Sequence, residues 1–484
     1  MELEYLKQVT RRYFFRECWT GLGTVALTAL LNEDLFSESV DPMAPKKPHF
    51  ATKAKRVVFL NMSGGPSQLD LFDYKPKLIE FHGKPLPRSV IGGQPLDYVK
   101  PEKPLRGTER KFRKYGQCGM EVSELLPNIA SCADDIALIR SVTTDHFNHG
   151  PAELFLNTGS IRAGRPSMGG WVTYGLGSEA KGLPGFVVLH STTRGTNPGI
   201  LGGPSCWSNG FLPSSYQGAV LRNVGEPVLF VSNPPGIDRN TQGETVTAIN
   251  NFNKRRLEVT GDPEIATRIA ALETAYQMQI AAPEACDISR EPKSILEMYG
   301  CSPGQMSFAN NCLLARRLIE RGVRFINVYH KGWDHHGASS DTDLVSNLPQ
   351  ICLDVDRASA ALVKDLKQRG LLEDTLVVWG GEFGRTPMGE SPKASNPTEF
   401  MGRDHHIDAF SVWMAGGGIK GGQTFGETDE FGYHVVRDRT HVHDLQATIL
   451  HLLGLDHKKL TFRSQGREFR LTDVAGEVVQ KLLA

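Results

Sequence analysis

No Cys-x-x-Cys pair occurs among the eight cysteines of this 484-residue chain. The spacing that builds a thiolate zinc site is therefore missing. Cys286 and Cys301 are near enough in sequence to pair; otherwise the scattered cysteines read as reduced and mostly buried. Neither sign of charge prevails. Lys and Arg total 54, Asp and Glu total 54, and the formal net charge is zero. Nothing global draws a nucleic acid or an acidic surface. No apolar run approaches the roughly 20 residues that a membrane-spanning helix needs. No low-complexity tract and no internal repeat occur. The 50 glycines and 28 prolines are spread along the chain and imply ordered turns. What remains is enough hydrophobic content, 40%, for a sizeable core.

The N-terminal stretch has its own pattern. Arg11-Arg12-Tyr13-Phe14-Phe15-Arg16 precedes the weakly apolar run Gly21 to Leu31. Paired arginines, aromatics and a modest apolar segment resemble a twin-arginine export signal, a route taken by proteins already folded. No clean cleavage site follows. Residues 1–50 are read as signal and linker, with Pro42 to Pro48 as the linker. Residues 51–484 are read as one domain, exported to the periplasm or cell envelope.

Short apolar runs then alternate with helical patterns. Arg56 to Met62, Ile136 to Arg140, Gly185 to Leu189, Arg324 to His330, Thr375 to Trp379 and Ala409 to Ala415 read as strands. Pro151 to Leu156, Asn250 to Ala281, Met306 to Arg321, Leu348 to Leu371 and Asp444 to Leu453 read as helices. The fourth of these carries Leu353, Ala360, Leu362 and Leu366 on a helical spacing. This order predicts an α/β fold: a mostly parallel central sheet with helices on both faces. Ligands in such folds bind at the carboxyl ends of the strands.

The polar clusters fall at those ends. Gly332-Trp333-Asp334-His335-His336-Gly337 packs a carboxylate and two imidazoles into three positions. Asp334 and His336 share an ion more naturally than neighbours pointing apart. Glu382-Phe383-Gly384-Arg385-Thr386 follows its strand at once. Glu382 is a candidate ligand, and Arg385 a candidate bidentate clamp on an oxyanion. Gly402-Arg403-Asp404-His405-His406 repeats the Asp-His-His pattern. Asp70, with Ser67, follows the glycine turn Ser63-Gly64-Gly65-Pro66. Carboxylate with imidazole suits a divalent metal, zinc first, with calcium or manganese as alternatives. His441 and His443 read as helix-start residues beside Asp444.

These stretches resemble the domain-of-unknown-function 1501 family over nearly everything after the signal. The likeness rests on Gly64 to Asp73, Gly332 to Gly337, Asp374 to Pro387, Gly402 to His406, Ala415 to Gly422 and Asp444 to Gly454. The family is similar to a branch of the alkaline phosphatase and sulfatase superfamily. The resemblance implies an alkaline phosphatase-like fold and a metal-dependent hydrolase of phosphate or sulfate esters, on a small-molecule or polysaccharide substrate. The alternative is a non-catalytic metal-binding or carbohydrate-associated surface protein. Two positions depart from the superfamily. Ser63 stands where its first strand ends in a metal-binding Asp. Counting back from Leu156-Asn157-Thr158-Gly159 puts His149 at the nucleophile position, with His146 one turn earlier. The resemblance thus implies Asp70, Asp334, His336, Glu382, Asp404 and His405 as metal ligands, with His149, His146, Ser67 and Arg385 facing substrate.

Overall fold

Arg56–Ser63 forms β1, and its side chains alternate between two cores. Val57 and Phe59 enter one apolar cluster, while Val58, Leu60 and Met62 enter the other. A strand buried on both faces must be apolar throughout, so the sequence shows a run and no alternation. The strands β2 (Ile136–Thr143), β3 (Phe186–Ser191), the short β4 (Ala219–Leu221), β5 (Phe325–Lys331) and β6 (Thr375–Gly380) follow. β7 (Gly384–Glu390) and β8 (Gly402–His406) pair antiparallel outside the main sheet. β9 (Phe410–Ala415), β10 (Gln423–Phe425) and β11 (Thr440–His441) complete nine strands in the order β10-β2-β9-β6-β1-β5-β3-β4, with β11 also on β2. Among the described strands of this sheet only β9 runs against its neighbours, β2 and β6.

The computed structural model describes residues 41–91, 103–191, 200–228, 233, 236–390 and 401–484. The export-signal stretch Thr10 to Leu31 lies outside them. Residues 42–484 form one compact unit. The stretch expected as a linker is bonded to that unit: Lys46 N–H donates to Leu176 O and His49 N–H to Gly454 O, each at 2.9 Å.

Helices α1 (His149–Thr158) and α2 (Met168–Leu176) cover one face of the sheet. α3 (Arg239–Thr260) and α4 (Pro263–Cys286) replace the single helix expected over Asn250 to Ala281. Gly261, at φ +64°, ends α3. α5 (Phe308–Glu320) and α6 (Asn347–Gln368) cover the other face, and α7 (Val442–Leu452) packs with α1 and α2. Leu353 is 70% exposed, against expectation. The inner stripe of α6 runs through Leu348, Ile351, Cys352, Val355, Leu362 and Leu366, and Leu353 lies off it. Asp444 completes a capping box at the start of α7, its carboxyl accepting from His441 N–H at 2.8 Å. Cys286 and Cys301 are both free thiols. Among the described residues no helix is long and apolar enough to cross a membrane.

Parallel pairing brings strand ends together. Ser63 lies beside Lys331 and Asn61 beside Gly380. The loops after β1, β2, β5 and β6 therefore open at one edge. Because β9 is antiparallel, its first residues and the β8 segment before it arrive at that same edge.

Candidate metal centre at the sheet mouth

A glycine lets the loops meet. Gly64, at φ +119°, follows β1, and a Cβ there would lie 2.7 Å from Asp334 N. Backbone meets backbone, so no side chain fits. The Gly64 N–H donates to both Glu382 oxygens, at 2.9 and 3.2 Å.

Around this turn three imidazoles converge on one carboxylate. The Nε2 atoms of His149, His336 and His405 lie 3.2, 2.9 and 3.3 Å from Asp334 Oδ1. His336 Nε2 and His405 Nε2 are 2.8 Å apart. The far nitrogen of each ring is already held. His149 Nδ1 meets Glu382 Oε1 at 2.6 Å, His336 Nδ1 meets Glu390 Oε2 at 2.6 Å, and His405 Nδ1 meets Phe147 O at 2.7 Å. Acceptors on all three Nδ1 positions favour the tautomer that leaves Nε2 bare. Three lone pairs and an anionic oxygen then face one point. His149 Nε2 is buried, and its contact with Asp334 lacks hydrogen-bond geometry. One donor atom from each of these four residues lies within 4.8 Å of the others. A divalent cation resolves this arrangement, so the residues fit a metal. The Asp334 side chain is 45% exposed, which opens the group to solvent.

The titration behaviour reports the same strain. Burial would drive His149 neutral, but contact with Asp334 and Glu382 lifts it to about 9. Burial would raise the Asp334 carboxyl, yet the three imidazoles and the Arg385 guanidinium hold it well below the carboxylate range. Protons here do what a cation would do. Burial leads the downward shift of His405, and the Arg385, His149 and His336 charges add to it.

The other expected residues stand elsewhere. Glu382 is fully buried behind His149, orienting that ring from the side away from the cluster. Asp404 joins His336 and Glu390 in a second grouping. There the Lys103 amine already bridges Glu390 and Asp404, at 3.1 and 3.5 Å. Asp70 is buried against Arg403 Nε at 2.9 Å, and the Ser67 hydroxyl donates to it at 2.5 Å. That pairing occupies the Asp70 carboxyl, and neither residue belongs to the grouping of His149, Asp334, His336 and His405. Arg385 has no exposed surface. Its guanidinium donates to Asp334 Oδ1 (2.6 Å), Gly65 O, Gly64 O and Arg403 O, which spends its donors on the scaffold rather than on an oxyanion. His146 accepts from Asn148 N–H at 3.0 Å and stacks on Phe147.

Two residues escape sequence reasoning. Glu390 fixes His336 from the far end of β7. Glu153 lies one turn along α1 from His149, and a Glu four residues after that His is the one signal the sequence carries. Its carboxyl accepts the Ser63 hydroxyl and, at 2.5 Å, the Gly202 N–H. Burial, then the Glu382 charge, pushes its pKa up to about 7.

Fold and cluster define an α/β protein with a potential divalent-metal site at the carboxyl edge of its sheet. By sequence the chain belongs to the family described as protein of unknown function, DUF1501, which matches residues 54–483. No curated relative matches it. Among solved structures it is loosely similar to PsFucS1 sulfatase from Pseudoalteromonas sp. That match has 14% identity, 89% of this chain, 72% of that chain and a TM-score of 0.35. It is also loosely similar to the phosphonate monoester hydrolase SpPMH from Silicibacter pomeroyi, with 11% identity, 89% and 76% coverage and a TM-score of 0.34. An alkaline phosphatase superfamily protein from Vibrio parahaemolyticus gives 10%, 87%, 71% and 0.30.

Proposed function

We propose that this protein is an exported, metal-dependent hydrolase of phosphate or sulfate esters. The observation that carries it is the convergence of three imidazole Nε2 atoms and the Asp334 carboxylate on one solvent-reaching point. His149, Asp334, His336 and His405 would hold the ion, zinc by their chemistry. A divalent ion there would polarise an ester oxygen and ease the attack on it. Glu382 and Glu390 hold two of the rings in place. Arg385 fixes Asp334 and the glycine turn. Export is supported by the Arg11-Arg12 pattern ahead of the Gly21 to Leu31 run.

The test is elemental analysis of the purified protein, then turnover of 4-nitrophenyl phosphate and 4-nitrophenyl sulfate. Stoichiometric metal with turnover of either ester is expected. Protein that stays metal-free in added zinc overturns the reading. Bound metal with neither activity favours a non-catalytic metal-binding protein. Glu382→Gln keeps the shape but not the charge behind His149. Loss of such an outer partner weakens metal binding by about 10- to 100-fold, read by chelator competition.

A further inference from the structure

Helix α1 turns an unusual stripe toward the sheet. His149, Glu153 and Asn157, at spacings of four, are all buried, with 7, 1 and 2% exposure. An amphipathic helix normally buries an apolar stripe here. Beside its apolar residues Ala152, Phe155 and Leu156, this one presents a column of polar groups beginning at the metal cluster. Each meets a polar partner. His149 meets Asp334 and Glu382, while Asn157 Oδ1 accepts from Tyr329 at 2.9 Å. Between them, Glu153 meets the hydroxyl of Ser63, the last residue of β1. The Gly202 N–H occupies Glu153 Oε2, leaving Oε1 to the serine.

We propose that Ser63 is the nucleophile of this site and that Glu153 is its general base. This rests on the hydrolase reading above. The geometry is that of an activated hydroxyl: Oγ–H donates to a carboxylate that is itself fixed by a backbone N–H. The position fits as well. Residues four apart on a helix stand about 6 Å apart at Cβ, so Glu153, which holds the Ser63 hydroxyl, is the neighbour of His149 on α1. Ser63 also directly precedes the Gly64 turn that touches the Asp334 backbone. In the first half-reaction Ser63 Oγ bonds to phosphorus or sulfur as the bond to the ester oxygen breaks. The serine proton passes to Glu153, and the departing alkoxide takes a proton from solvent. In the second, water attacks the seryl ester, Oγ leaves and recovers its proton from Glu153, and the water proton goes to solvent. The balance is one ester plus one water giving alcohol and inorganic anion.

The experiment uses the zinc-loaded full chain with 4-nitrophenyl phosphate and 4-nitrophenyl sulfate. Wild type is quenched in acid during turnover and peptide-mapped by mass spectrometry. A phosphoryl or sulfuryl group on Ser63 is expected. Ser63→Ala should lose kcat by at least about a hundredfold, the scale of general-base and nucleophile losses. Its zinc content and melting temperature should stay near wild type. Glu153→Gln, which preserves shape, should lower kcat with little change in KM and suppress the adduct. A tether between α1 and β1 would instead lower melting temperature in both variants and give no adduct. Turnover that survives in Ser63→Ala with no adduct at Ser63 overturns this proposal and leaves the hydrolase reading standing. A zinc-loaded wild type that neither turns over nor forms an adduct overturns both.

Discussion

Asp334→Ala is expected to cost the protein its metal. Asp334 is the one carboxylate on which the three imidazoles converge, and it is bound to Arg385 at 2.6 Å. Removing it subtracts a ligand and also uncovers a fully buried guanidinium beside the remaining three. A divalent ion would then face a fixed positive charge with no anion between. The loss should exceed the roughly 10- to 100-fold seen for outer partners. Elemental analysis after dialysis and chelator competition measure it. Asp334→Asn keeps the oxygen and the contact with Arg385 while dropping the charge, and should fall between wild type and Ala. Wild-type affinity in the Ala variant would sink the assignment of the cluster.

Asp70→Ala is expected to act on stability and to leave metal stoichiometry in the folded protein unchanged. The Arg403 side chain has no exposure and Asp70 has 4%. Removing one partner of a buried pair strands the other charge, at a cost of about 3–5 kcal/mol. Arg106 nearby is a second buried cation that feels Arg403, which deepens the deficit. Denaturant titration at neutral pH reads the cost. The pH dependence has a definite sign. Burial works against the Asp70 carboxylate, but the charge and hydrogen bonds of Arg403 hold its pKa well below the ordinary value. The stabilisation is therefore complete above the unfolded value of about 4 and is lost as pH falls below it. Wild type should lose stability across that acid range more steeply than Asp70→Ala. Parallel acid profiles would show that the pair contributes nothing.

The architecture was legible because a sheet buried on both faces demands apolar runs. Arg56 to Met62 and Thr375 to Trp379 announce themselves by having no polar face. The residues at the sheet mouth were legible for a related reason: Asp334, His336 and His405 sit directly beside strand ends, where topology gathers them. What a sequence does not carry is the direction of a side chain across hundreds of positions. Asp70 carries the charge of a ligand, yet its partner is Arg403, 333 positions away. Glu382 also follows its strand end as a ligand would, but the loop turns it behind His149. Arg385 has the chemistry of an oxyanion clamp and spends it on Asp334 and on backbone carbonyls. Glu153 was hidden because α1 reads as an ordinary short helix until the sheet shows which stripe faces inward.

The four converging residues come from three segments far apart in the chain, one of which supplies both Asp334 and His336. His336 and His405 are separated by 69 positions, and Glu382 holds His149 from 233 positions away. An ion bound at such a junction acts as a reversible cross-link. It binds the folded chain and has no preformed site in the unfolded one, so it adds RT ln(1 + [L]/Kd) to the free energy of unfolding. The melting temperature would then follow the free metal concentration of the surroundings.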